Sequence, residues 1–187
     1  MVAAVLLSAM PMGIASGATH VIAQSTRPAT GVTLDRRVRA LWRAIRRDDL
    51  ALAAPLFFPR GAYVHLKAIY DPSADFTDRL WALFRLDFAA YHAATAGATF
   101  EGVRVDPADV AWIRPGTCEN SIGYWHLPGV RMVYRQRGVE RSVGVFSFIS
   151  WRGVWYVVHL GPNPRPVNVG TLDAPAIGTG VPGGGGC

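Results

Sequence analysis

Tyr124, Trp125 and His126 stand together, after Asn120 and Ser121 and just before a Leu127-Pro128-Gly129 turn. Aromatic and imidazole groups at a sheet rim can close a pocket mouth and hydrogen-bond what enters it. The plainer reading packs Trp125 and leaves His126 in solvent. Acid–base work needs a titratable group in apolar surroundings, where burial moves its pKa toward neutrality. Asp87 and His92 are the helical candidates, and both border an apolar stripe, so a place at the water boundary competes with a buried one. His65 and Lys67 read as a solvated strand face, and His159 as a packed residue beside Phe146 and Trp155. The histidines are far apart and none has a partner at finger or zincin spacing, so no metal site is expected. The sequence holds no P-loop, dinucleotide fingerprint or Ser-centred elbow, and no cofactor is expected.

The elements that must position these groups are organised around residues 142–160, SVGVFSFISW-RG-VWYVVHL. β-Branched and aromatic residues fill two arms joined by the two-residue turn Arg152-Gly153. That turn sets Trp151 beside Val154, Ile149 beside Tyr156, Ser147 beside Val158 and Val145 beside Leu160 on one face. The preceding turn, Arg137-Gly138, adds Met132 beside Val143 and Tyr134 beside Arg141 to the same face, which reads as the core face. The opposite face carries Phe146, Phe148, Ser150, Trp155, Val157 and His159, with Arg135 and Glu140 as an expected cross-strand ion pair. An exposed aromatic patch of this kind marks an interface.

The N-terminal part of the chain reads as helix at 34–48, with Thr33 as cap, and a shorter helix at 50–58 that Pro55 kinks and Pro59 ends. A strand follows at 62–70, then a helix at 75–95. Short strands follow at 99–105 and 110–113. The segment 114–122 reads as a loop and 162–187 as an irregular Pro/Gly-rich tail. Residues 1–25 resemble an export signal, with Ser16-Gly17-Ala18 and Val21-Ile22-Ala23 as cleavage candidates and no cation before the apolar run. Residues 26–33 read as a linker and 34–161 as one domain. A secreted or cell-surface location and no membrane span after signal removal are expected. Cys118 and Cys187 then invite a disulfide, with unpaired thiols or an intermolecular bridge as alternatives. Net charge is +6, from 18 Arg and the single Lys67 against 13 acids. The cluster Arg36, Arg37, Arg39, Arg43, Arg46 and Arg47 reads as a solvated helix face, not as a nucleic-acid site.

Helices followed by runs of strands indicate an α+β fold. The order resembles the NTF2-like (SnoaL-like) superfamily, on LWRAIRRDDLALAAPLFFP as an opening helix pair and SWRGVWYVVHL as a closing hairpin. The stretch WIRPGTCENSIGYWHLPGVRMVY resembles a family of exported actinobacterial proteins. The resemblance implies helices packed on a bent antiparallel sheet that forms a cone. It also implies a homodimer through the outer face, at Phe146, Phe148, Trp155, Val157 and His159. Within that frame, a small apolar or aromatic ligand, or a protein partner, is expected to bind without catalysis. Tyr124, His126, Tyr134, Ser147 and Tyr156 are the expected ligand contacts. The alternative is a SnoaL-like isomerase or hydrolase, with Asp87 or His126 as acid–base and Tyr134 or Tyr156 as hydrogen-bond donor.

Overall fold

The computed structural model describes residues 23–184. Helix α1 (Val32–Arg47) forms where Leu34, Val38, Leu41, Trp42 and Ile45 repeat at helical spacing, and all five are buried. It starts from Gly31 without a side-chain cap, two residues earlier than the expected cap at Thr33. Asp49 caps α2 (Leu50–Ala53) by accepting the Leu52 N–H. Pro55 then tightens the chain into a 3-10 turn, Ala54–Leu56, so the helix expected to reach Phe58 stops early.

The expected strand at 62–70 is helical instead, as α3 (Arg60–Leu66). Val64, Leu66 and Ala68 alternate, but Ala62, Tyr63 and Leu66 also fit one helical face, and these three are buried while Val64 is exposed. The long helix is continuous but mixed. It runs as α4 (Pro72–Asp75), a π-helical stretch (Phe76–Trp81) and α5 (Ala82–Ala94). Asp71 caps it through the Ala74 N–H. Among the described residues no helix is long and apolar enough to cross a membrane.

The sheet is antiparallel throughout. Its strands are β1 (Thr99–Arg104), β2 (Ala111–Ile113), β3 (Tyr124–Gln136), β4 (Val139–Trp151), β5 (Val154–His159) and β6 (Asp173–Ile177). The main path is β1-β3-β4-β5; β2 also pairs with β3, and β6 with β4. Arg137 and Gly138, and likewise Arg152 and Gly153, all have positive φ, as the predicted two-residue hairpins require. Met132 pairs with Val143, Tyr134 with Arg141, Trp151 with Val154 and Ile149 with Tyr156, as expected. Arg135 lies opposite Glu140 but bonds Glu101 on β1, at 2.6 Å.

Two features correct the cone. The sheet is neither closed nor strongly curled, and β1 and β5 at the ends of its path do not meet. The element order that suggested the NTF2-like fold also loses its first strand to α3. What remains is an α+β fold with helices on a six-stranded open sheet. The tail is not wholly irregular, since β6 fills the edge of β4 at Arg141–Gly144 beyond the end of β5.

The outer face is not the free interface expected for a homodimer. Phe148, Trp155 and Val157 are buried within the single chain. The first and last described segments cover that face. At one end, the Trp125 and Trp155 indoles donate to the carbonyls of Ser25 and Ala29, and the Gln24 side chain bonds Gly123 and Ser150. At the other, Gly183 sits where a side chain on Gly129 would project, and Gly180 lies against buried Arg131. No disulfide joins two described residues. The expected partner of Cys118, Cys187, lies outside them, as does the expected export segment up to Ile22.

Candidate functional site

A cavity of about 510 Å³ opens between α3, the π-helical stretch and the core face of β3–β5. Its helical wall carries Tyr63, Asp75, Arg79 and Leu80; its sheet wall carries Tyr124, His126, Ser147, Ile149, Val158 and His159. Lys67 and Asn120 close one side.

Each wall has a local cause. The π-helical stretch shifts the phase of the long helix, a distortion that recurs at functional sites, and it brings Arg79 and Leu80 to the cavity. Arg79 grips Asp75 with two 2.6 Å bonds, and the Tyr63 hydroxyl bonds the same carboxylate. Arg79 holds the Asp75 carboxyl below its usual range, and burial pushes the Tyr63 hydroxyl up. The loop before β3 is stitched to the segment after α3 by a bridge between Lys67 and Asn120. Backbone bonds run from Ala68 to Glu119 and from Ser121 to Leu66. The Lys67 ammonium donates to the Cys118 carbonyl at 2.8 Å and stands 3.9 Å from Glu119.

On the sheet wall, β5 carries an extra residue at Val158, a bulge that sets His159 opposite Ser147. Strict alternation would put Val158 there and His159 on the outer face; instead both line the cavity. The result is a row across three strands, His126, Ser147 and His159. The His126 Nε2 and Ser147 Oγ are 2.8 Å apart. Burial lowers the His126 pKa to about 4. Burial, then Arg79, Arg165, Lys67 and His126, lowers that of His159 to about 3. Both imidazoles are therefore neutral at pH 7, each with one donor and one acceptor nitrogen.

This arrangement does not make Ser147 a nucleophile. An activated serine needs a base that can hold its proton and a third group that orients the base. Among the described residues no carboxylate bonds His126, and an imidazole this acidic is a poor proton acceptor. Nor do the described residues hold a group of three His, Cys, Asp or Glu side chains placed to bind a metal.

The sequence-predicted residues divide. Tyr124, His126 and Ser147 line the cavity. Tyr134 packs on Trp42 and lies opposite Phe100 of β1, and Tyr156 packs on Phe58 beneath the Arg37 guanidinium; neither lines the cavity. Asp87 is not in the cavity either. It is buried in an ion pair with Arg165 and accepts the N–H groups of Gly161 and Thr171. His92 bonds the Ile45 carbonyl, and His65 packs edge-on against Trp151. Sequence reading missed Lys67, Asp75 and Arg79. The spacing of Asp75 and Arg79, one helical turn, was the available signal.

The imidazole burial has a measurable consequence. The folded chain binds fewer protons at His126 than the unfolded chain does between about pH 4 and 6.5, so stability falls as pH drops through that window. The expected loss is about 3 kcal/mol by pH 4 for this residue. Asp87 and Asp173, whose carboxyls burial pushes up, work in the opposite sense above the ordinary carboxylate range. The test is therefore a difference: urea unfolding of wild type and His126→Asn at pH 7 and 4.5. Equal pH sensitivity of the two proteins would refute the assignment.

The chain matches no family model, no curated protein and no solved structure. The NTF2-like (SnoaL-like) assignment and the resemblance to exported actinobacterial proteins are thus unsupported. The apolar-ligand or partner-binding role and the SnoaL-like isomerase or hydrolase role drawn from them fall with that assignment.

Proposed function

We propose that the protein binds a small polar molecule in the cavity between α3, the π-helical stretch and β3–β5. One observation carries this reading: hydrogen-bonding groups from five separate parts of the chain converge on a single cavity. They are Lys67, Arg79, Asn120, the β3–β4 pair His126 and Ser147, and His159. A volume of about 510 Å³ lies within the range of small-molecule sites. Converging polar groups are costly to a fold unless something uses them, because each must be desolvated in part. Neutral imidazoles suit the task, since they can donate to one ligand atom and accept from another.

The test is ligand-observed NMR with a set of neutral and anionic heteroaromatic fragments. Ile69 lines the rim and is half-buried on a loop, so Ile69→Trp fills the mouth at little cost to the core. Fragments that bind the wild-type protein should lose at least tenfold in affinity for Ile69→Trp and for His126→Phe, with circular dichroism unchanged. Equal binding to wild type and Ile69→Trp would place the fragments elsewhere and overturn the proposal.

A further inference from the structure

Two cations and two acids line the cavity, Lys67, Arg79, Asp75 and Glu119, but they pair unequally. Asp75 is taken up by two guanidinium nitrogens of Arg79, Nε and Nη2, and by Tyr63. Glu119, the other acid at the cavity, has a side chain 73% exposed and reaches Lys67 only at 3.9 Å. Arg165 is neutralised by Asp87. Lys67 is held more loosely: its side chain is 17% exposed, it donates to the Cys118 carbonyl, and among the described residues its acid partner is Glu119 at 3.9 Å. The His126–Ser147–His159 row lines the same cavity. Beside these polar groups, Leu80 and Ile149 supply an apolar surface.

Resting on the cavity-binding reading, we infer that the ligand is a small organic carboxylate. Its anionic group sits between the Lys67 ammonium and the imidazole row, and its short hydrocarbon or aromatic body lies on Leu80 and Ile149. A carboxylate accepts hydrogen bonds only, and it would gain a charge-assisted bond from Lys67 and donors from neutral imidazoles. A cation would meet the Lys67 ammonium, whose acid partner Glu119 is largely exposed, and is disfavoured beside it. Burial is the main cause of the depressed pKa of His159, and Arg79, Arg165 and Lys67 add to it. A compact ammonium on a flexible stem suits a single anionic group, whereas a fork suits bidentate pairing.

The experiment compares 3-phenylpropanoate and hexanoate with their primary amides, by calorimetry on the full chain. Wild-type protein should bind each carboxylate at least tenfold more tightly than its amide, a comparison that needs no variant. Lys67→Met should lose at least tenfold for the carboxylates and stay within threefold for the amides; Lys67→Arg should recover part of the loss. Lys67 is the only lysine, so reductive methylation with a carbon-13 label places one side-chain probe at the site. Its signal should shift with the carboxylate and not with the amide. Amides bound as tightly as carboxylates, and displaced by Ile69→Trp, would overturn the carboxylate inference and leave the cavity reading intact. Failure of wild type to bind either class would overturn both.

Discussion

Phe148→Glu is expected to abolish folding. Phe148 lies on β4 between Leu127 of β3 and Val157 of β5, and its side chain is 2% exposed. Both cross-strand neighbours are buried as well. Truncating a buried Phe costs about 3–5 kcal/mol through lost transfer and the cavity left behind. A carboxylate in the same place adds a desolvation cost of several kcal/mol, because no cation is paired with Phe148 in the sheet. The sum is comparable to the roughly 5–15 kcal/mol that holds a typical domain together. Read as an exposed interface residue, Phe148 would give a folded monomer on the same substitution. The two readings therefore separate in one experiment. Circular dichroism and a proton–nitrogen correlation spectrum of Phe148→Glu should show an unfolded chain, while Phe148→Leu should keep the native spectrum. A well-dispersed spectrum for Phe148→Glu would mean that residues 24–29 and 178–184 do not cover that face.

The reason for the difference lies in what local pattern can encode. Each Arg-Gly turn announces a two-residue hairpin and the register of the residues beside it, because turn geometry sets local pairing; the expected Leu127-Pro128-Gly129 turn is instead part of β3, which stays paired with β4 up to His126. The same pattern cannot say what covers the outer face. Residues 24–29 and 178–184 carry little apolar periodicity, and they reach the sheet through indole and amide hydrogen bonds and close glycine contacts. β6 was hidden for a similar reason: Asp173-Ala174-Pro175-Ala176-Ile177 has weak strand propensity and pairs with β4 through tertiary context. The bulge at Val158 turned His159 from the outer face to the cavity, a one-residue change that alternation cannot foresee. At 60–66 the apolar residues fit both periods, and α3 won because Ala62, Tyr63 and Leu66 face the core together. Half of the candidate site was thus legible. Tyr124 and His126 were legible as an aromatic and imidazole cluster and Ser147 as a core-face position of its hairpin, while Lys67, Arg79 and His159 depend on α3, the π-helical phase shift and the bulge.

Asp87→Ala is expected to destabilise the protein by about 3–5 kcal/mol, the cost of removing one partner from a buried ion pair. The side chains of Asp87 and Arg165 are 2% and 4% exposed. Arg165 also donates to the Leu83 carbonyl and to the Thr171 hydroxyl, so the pair ties both ends of the segment between β5 and β6 to α5. Close backbone packing supports the clamp, since Gly170 lies against the Leu86 carbonyl where any side chain would collide. Removing Asp87 leaves a guanidinium buried without its anion and the N–H groups of Gly161 and Thr171 without their acceptor. A residue in this position stabilises the fold and holds the start of β6 beside β4; it is not available for acid–base work. Arg165→Ala should cost less, because the carboxylate it leaves behind keeps the two N–H donors. The double variant should be less destabilised than the sum of the singles, with a coupling of roughly 1–3 kcal/mol. Urea unfolding of the four proteins measures these values, and hydrogen exchange should locate the first loss of protection at residues 161–173. A cost below about 1 kcal/mol for Asp87→Ala, with protection there unchanged, would show that the clamp contributes little.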